Sequence, residues 1–149
     1  MKVLIQRVKR ASVTIEGSLF SSIEQGILAL AGIEKGDTEA QAEKLAGKIV
    51  NLRIFPDEQG KMNKSLRDIN GEMLIVSQFT LCGDCKKGTR PSFDKSEEPK
   101  RANELYELFV QKVREHGIKT AVGKFASMMD VELINDGPVT FMLEASNHD

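Results

Sequence analysis

Histidine is scarce in this chain: two, His116 and His148, among 149 residues. Histidine is the side chain that titrates near neutrality, so little here points to imidazole acid–base catalysis. His116 falls at the end of the second helical pattern, where a positive ring would suit the helix dipole. His148 sits in a polar tail. Both are read as structural, and their spacing does not make a metal pair. Cysteine is equally sparse, with Cys82 and Cys85 too few for a disulfide scaffold. They form a CxxC after a strand pattern, yet the redox motif needs a helix directly behind it to lower the thiol pKa. Lys86-Lys87-Gly88-Thr89-Arg90-Pro91 is loop instead. Structural zinc needs four ligands, and no second CxxC or HxxxH supplies them. The two thiols are read as incidental loop residues. Neither sign of charge dominates: 21 basic residues stand against 22 acidic ones, so nothing draws the whole molecule to nucleic acid, although a local basic patch can still do so. The apolar run at residues 27–33 is far too short to span a bilayer, and Arg7, Lys9 and Arg10 interrupt the place of a signal peptide's apolar core. A cytoplasmic location is expected. There is no Walker loop, no GxGxxG, no internal repeat and no low-complexity segment.

What remains has the balance of a globular protein, 40% hydrophobic and 29% charged, and one domain over residues 1–149 is expected. "KVLIQRVKRASVTI", "LFSSI" and "GILALAGI" read as strands, the first two separated by Glu16-Gly17. Asp37 or Thr38 caps a helix, with Gln41 completing a capping box to Thr38, and Ala42, Leu45, Ala46, Ile49 and Val50 fall on one face. "LRIFPDEQGKMN" reads as a short strand and turn. "EMLIVSQFTL" is so continuously apolar that burial on both faces is expected. Ser96 is the expected cap of a second helix, Pro99 sits in its first turn, and Ala102, Leu105, Tyr106, Phe109 and Val113 form its stripe before Gly117 stops it. "IKTAV", "MMDVELI" and "VTFMLE" read as three further strands. The expected fold is mixed α/β, with largely antiparallel sheets and two helices layered on one side.

Three stretches carry candidate chemistry. In "SQFTL", strand alternation would put Gln78 and Thr80 on one face and Ser77, Phe79 and Leu81 on the other. Spacing alone favours a half-buried strand end with satisfied polar groups, and no acid–base partner near Thr80 activates it as a nucleophile. Lys86, Lys87 and Arg90 crowd the next loop, with Lys95 beyond. They are either a solvated cluster or a holder for phosphates of a polyanionic substrate. In "NDGPVTFML", Asn135-Asp136-Gly137 would make an ordinary hairpin turn, yet Pro138 removes an N–H where a strand should begin. Either the proline stiffens a turn's exit, or Gly137 and Pro138 present backbone atoms to a ligand.

"SQFTLCGDCKKGTRPSF" and "NDGPVT", in this order, resemble the two signature motifs of the D-aminoacyl-tRNA deacylase family. The similarity extends through "QRVKRASVTI", "GIEKGDT", "LRIFPDEQGKMN" and "MMDVELINDGPVT". Two departures stand out: Cys82, where the family often has an aromatic residue, and Ala126-Ser127, where glycine followed by alanine is common. The resemblance implies a homodimer with each active site built across the interface. It implies hydrolysis of the ester joining a D-amino acid to the terminal ribose of tRNA, with glycine mischarged on alanine tRNA accepted as well. Ser77, Gln78, Phe79 and Thr80 would line the reaction centre. Gly137 and Pro138 would enter the partner's pocket, Arg7 would hold them, and Phe125 and Met129 would pack against the terminal adenine. No metal or cofactor is implied. The tRNA 2′-hydroxyl would assist the attack, so no protein histidine is needed, while backbone N–H groups at Phe79 or Thr80 would meet the oxyanion. A rigid backbone wall at the α-carbon would exclude L side chains without reading the D side chain. Two other function classes stay open beside this one: a CxxC thiol or metal protein, and a dimeric RNA-binding module without catalysis.

Overall fold

The computed structural model describes residues 1–147, so His148 lies outside the described residues. Three strands open the chain as expected: β1 (Lys2–Ile15), β2 (Ser18–Ile23) and β3 (Gly26–Gly32). Helix α1 (Glu39–Asn51) follows, and its start is the expected one. Thr38 caps it, the Thr38 N–H donates to Gln41 Oε1 at 2.7 Å, and the Ala40 N–H donates to Thr38 Oγ1 at 3.3 Å. A small ribbon, β4 (Phe55–Pro56) with β5 (Met62–Lys64), precedes β6 (Glu72–Ser77). Helix α2 (Pro99–Glu115), β7 (Lys119–Val122) and β8 (Asp130–Glu144) complete the order.

The cap of α2 differs from expectation. Glu98, not Ser96, accepts from the Lys100 and Arg101 N–H groups, at 3.4 and 2.9 Å. Pro99 has no N–H to satisfy, so the capping oxygen is needed one residue before it, and a carboxylate there also suits the helix's positive end.

Pairing is only partly antiparallel. β1 runs antiparallel to β2, β3 and β8, but β6 lies parallel to both β3 and β7. The connections explain this, because β3 reaches β6 through α1 and β6 reaches β7 through α2, and parallel neighbours require such crossovers. Both helices pack on one face of the sheet, over Val3, Ile5, Ile27, Ala29, Ala31, Met73 and Ile75. The alternate residues Leu28, Leu74 and Val76 join Val8, Ala11, Val13 and Ile23 in a second core on the other face. Burial of β6 on both faces is therefore real: Met73, Leu74, Ile75 and Val76 are all inaccessible or nearly so.

The last expected pair of strands is one element. "MMDVELI" and "VTFMLE" run together in β8, and Asn135-Asp136-Gly137 does not turn the chain back. It swells instead. Val8 pairs with Asn135 and Gln6 with Thr140, so residues 136–139 all stand opposite Arg7 alone. The Asn135 side chain bridges the neck of this bulge, accepting from the Val139 N–H at 2.8 Å and donating to Thr140 Oγ1 at 3.0 Å. Gly137 has φ 143°, and the Gly137–Pro138 peptide is cis. A Cβ on Gly137 would come within 2.6 Å of Val139 Cγ2, so glycine is required there for space as well as for conformation.

The two helix starts give a stability test. Thr38→Ala and Glu98→Ala each lower unfolding free energy by about 1 kcal/mol in urea titrations, whereas Ser96→Ala changes it by less than about 0.5 kcal/mol. A loss at Ser96 equal to that at Glu98 would contradict the observed cap.

Candidate active site

The strands β3, β6 and β7 are mutually parallel, and their carboxyl ends open on one side of the sheet. A cavity of about 580 Å³ lies there. Its floor is apolar, from Ile33, Val76, Ala102 and Val131, and its polar groups are Ser77, Gln78, Ser96, Glu97 and Ser127. Ligand sites commonly lie beyond the carboxyl ends of parallel strands, where the chain leaves the ladder and crossovers diverge.

"SQFTL" supplies one wall, though not as a strand. β6 ends at Ser77, and residues Phe79–Cys82 form a single 3-10 turn. The alternation expected for Gln78 and Thr80 therefore does not apply. The two still meet, because the Gln78 amide donates to Thr80 Oγ1. That bond makes the hydroxyl an acceptor, and an amide cannot take its proton, so it does not activate a nucleophile. Gln78 is tied to the sheet by its own N–H, which donates to the Ala31 carbonyl at 2.8 Å. The first N–H groups of a 3-10 turn, here those of Phe79 and Thr80, have no partner within it. Ser77, Gln78 and Phe79 line the cavity, while Thr80 is exposed at its edge.

Phe125 and Met129 form the opposite wall, on the loop of residues 123–129. Tyr106 of α2 steadies Phe125, with ring centroids 6.2 Å apart, and its hydroxyl donates to the Ile75 carbonyl at 2.7 Å. Burial pushes the Tyr106 phenol up to about 12, so it stays a donor throughout the physiological range. Met129 folds back on the loop, accepting from the Lys124 N–H at Sδ over 3.4 Å. A Cβ on Gly123 would lie 2.8 Å from Met129 Sδ, so a larger residue there would push the flexible thioether aside. Ala126, in the same loop, has φ 58°, a left-handed conformation that costs an L residue energy and glycine almost none.

The remaining expected residues lie apart from the cavity. Arg7 is 9% exposed and is pinned twice, with Nη1 donating to the Ile54 carbonyl at 2.7 Å and Nε to the Asp136 carbonyl at 2.9 Å. The Asp136 carboxylate adds an ion pair at 3.5 Å. Gly137 and Pro138, the residues this clamp holds, are exposed and do not line the cavity of their own chain. Lys86, Lys87 and Arg90 are exposed on a loop closed by Asp84 and Ser92, which exchange backbone bonds of 2.7 and 2.9 Å.

The CxxC is not a pair of equivalent loop thiols. Cys85 is exposed, but Cys82 is buried in the 3-10 turn with its thiol 3.5 Å from the Ile33 carbonyl. Burial, and then the Glu34 carboxylate, push its pKa up to about 11, opposite to a redox-active thiol. Among the described residues no group of three His, Cys, Asp or Glu side chains is placed to hold a metal ion. His116 packs at the end of α2, where Arg67 Nη2 lies 3.0 Å from Nδ1. His116 therefore sits at the end of α2 as expected, against the Arg67 side chain.

Ile33, Ser96, Glu97, Ala102 and Val131 also line the cavity, although no local motif in the sequence marks them. Ser96, Glu97 and Ala102 reach it because α2 crosses from β6 to β7, Ile33 follows directly on β3, and Val131 belongs to β8. No helix among the described residues is long and apolar enough to cross a membrane.

Known proteins resemble this chain in both sequence and fold. A family model described as D-Tyr-tRNA(Tyr) deacylase matches residues 4–144. A D-aminoacyl-tRNA deacylase of Pelobacter propionicus is 58% identical over 144 residues, covering 97% of this chain and 99% of the relative. One from Aquifex aeolicus is 53% identical over 145 residues, covering 97% of this chain and 98% of the relative. A solved structure named c-Myc DNA unwinding element binding protein superposes with a TM-score of 0.92 at 42% identity, over 97% of this chain and 99% of that one. A second, described as a probable eukaryotic D-amino acid tRNA deacylase, has a TM-score of 0.82 at 17% identity, over 95% and 97% of the two chains, and shares the fold.

Two measurements follow from the cavity's surroundings. Ala126→Gly raises unfolding free energy by roughly 0.5–1 kcal/mol, the relief of left-handed strain less the added freedom of an unfolded glycine. An unchanged or lower denaturation midpoint would contradict the loop conformation. In thiol labelling at pH 8, Cys85 reacts within minutes and Cys82 reacts only on unfolding; two fast thiols would contradict the burial of Cys82.

Proposed function

The chain belongs to the D-Tyr-tRNA(Tyr) deacylase family, and on that premise we propose that it hydrolyses the ester between a D-amino acid and the terminal ribose of tRNA. The observation that carries this is the convergence of Ser77, Gln78 and Phe79 with Phe125 and Met129 around one cavity. The floor, with Phe125 and Met129, takes the terminal adenine, and the β6 exit faces the ester. An aminoacyl ester is already activated, and the tRNA 2′-hydroxyl stands beside its carbonyl. The protein's task is positioning and charge stabilisation, for which the N–H groups of Phe79 and Thr80 are the donors. Glycine esters fit the same site because they present no side chain.

The handedness of the reaction comes from a second copy of the chain. β8 pairs with β1 alone among the described strands, and it carries the exposed apolar residues Ile134, Phe141 and Met142. An open edge of this length with apolar side chains is a natural surface for self-association. In a homodimer, Gly137 and Pro138 of one copy enter the cavity of the other, held rigid by Arg7. Their carbonyls accept the substrate's α-ammonium, which places the ester for attack, and their backbone at the α-carbon leaves no room for an L side chain. Lys86, Lys87 and Arg90 take phosphates of the acceptor end, so binding weakens as salt rises. A protein of this kind would work in the cytoplasm, where charged tRNA is found.

The direct test is ester release from matched D- and L-tyrosyl-tRNA. Release from the D ester at least about a hundredfold faster is expected, near the discrimination that steric exclusion can supply. Equal release from both, or release from neither, would overturn the proposal, and binding without release would favour the RNA-binding module. Thr80→Ala retains most activity; complete loss with normal folding would restore a covalent role for its hydroxyl.

A further inference from the structure

Two phenylalanines stand exposed at the mouth of the cavity. Phe79 is 57% and Phe93 40% accessible, and their rings meet edge to face with centroids 5.2 Å apart at 60°. Phe79 lines the cavity, whereas Phe93 comes from the base of the basic hairpin, one residue after the Asp84–Ser92 closure. Its position is fixed on several sides. The Phe93 carbonyl accepts from the Ser96 N–H at 3.0 Å, and Phe93 Cε1 lies 3.0 Å from where a Cβ on Gly83 would be, so the ring rests against that backbone. An aromatic pair held this firmly and left this open spans the gap between the cavity and Lys86, Lys87 and Arg90.

We infer that Phe79 and Phe93 form a stacking platform for the unpaired nucleotides preceding the terminal adenosine of the RNA, which rests on the deacylase function proposed above. Charge complementarity selects RNA as the occupant. A base leaving the cavity meets the aromatic pair, and its phosphates then run toward the three cations of the hairpin. Aromatic rings accept every base on its π-face, so the platform holds single-stranded RNA without selecting its sequence. The edge-to-face contact leaves Phe79 as the stacking ring and makes Phe93 its support and the link to the hairpin.

The test compares two substrates, full D-tyrosyl-tRNA and the D-tyrosyl ester of adenosine, which has no preceding nucleotide. Phe93→Leu raises KM for the tRNA about tenfold, the order of one base–aromatic stack, and leaves hydrolysis of the adenosine ester within about twofold. Phe93→Tyr keeps the ring and retains wild-type behaviour on both. Equal loss on the two substrates, or no loss on either, overturns the platform. So does conversion of a dimer to monomers by Phe93→Leu in light scattering, which would make the pair a contact between copies. If the wild type hydrolyses neither ester, the deacylase function fails separately. The platform is then read from binding of an uncharged RNA hairpin with a 3′ single strand, which Phe93→Leu must weaken about tenfold and Phe93→Tyr must not.

Discussion

The projection of the β8 bulge depends on one buried arginine. Arg7 lies on the helix-facing side of β1, where an unpaired guanidinium would carry a large desolvation penalty. It is satisfied by two backbone carbonyls from different parts of the chain, Ile54 before the β4–β5 ribbon and Asp136 in the β8 bulge. One residue of β1 thereby holds four of β8 in a fixed outward projection. Removing the guanidinium would leave both carbonyls without this donor and release the segment that departs furthest from its ladder among the described strands. The clamp explains why a glycine with φ 143° next to a proline persists within a fifteen-residue strand.

The second organising feature is the run of parallel pairing inside an otherwise antiparallel sheet. Crossovers through α1 and α2 bring the carboxyl ends of β3, β6 and β7 to one edge, and the cavity forms where these chains leave the sheet. Each wall then has its own support. The 3-10 turn after Ser77 is anchored to β3 through the Gln78 N–H, and Phe125 leans on a tyrosine whose hydroxyl is bonded back to β6. The site is therefore a property of the sheet's topology, with loops that the helices hold in place. For the substrate proposed, the demand on such a site is small: an activated ester needs to be placed and its developing charge met, which preformed backbone N–H groups would do without a titrating side chain.

Much of this was legible in the sequence wherever local chemistry settles the structure. The capping box at Thr38 and Gln41, the α1 and α2 stripes, and the double burial of β6 follow from spacing and side-chain type alone. Reading failed where a distant partner overrides the local signal. Asn135-Asp136-Gly137 has the chemistry of a hairpin turn, but β1 continues alongside and keeps the chain extended, so the turn residues become a bulge. "SQFTL" has strand composition, yet no neighbour extends the ladder past Ser77, and the chain coils into a turn. Cys82 looks like half of a CxxC and is a core residue under Ile33. The far side of the cavity, from Ser96 to Ala102, carries no motif because its membership is decided by a helix crossing. The motifs that resemble the deacylase family did mark the β6 exit and the bulge, which lie apart in the chain; in the function proposed, their meeting requires a second copy.

That requirement is the central claim, and subunit complementation tests it most directly. A Gly137→Val chain keeps its cavity and loses its projecting segment, while a Phe125→Arg chain loses its cavity and keeps the segment. Each homodimer should be inactive toward D-tyrosyl-tRNA. When the two are mixed under conditions that exchange subunits, half the dimers are hybrids with one intact site of two, so about a quarter of wild-type activity returns. Activity that stays at background in verified hybrids, or a Gly137→Val homodimer as active and as selective as the wild type, would contradict a site shared between copies.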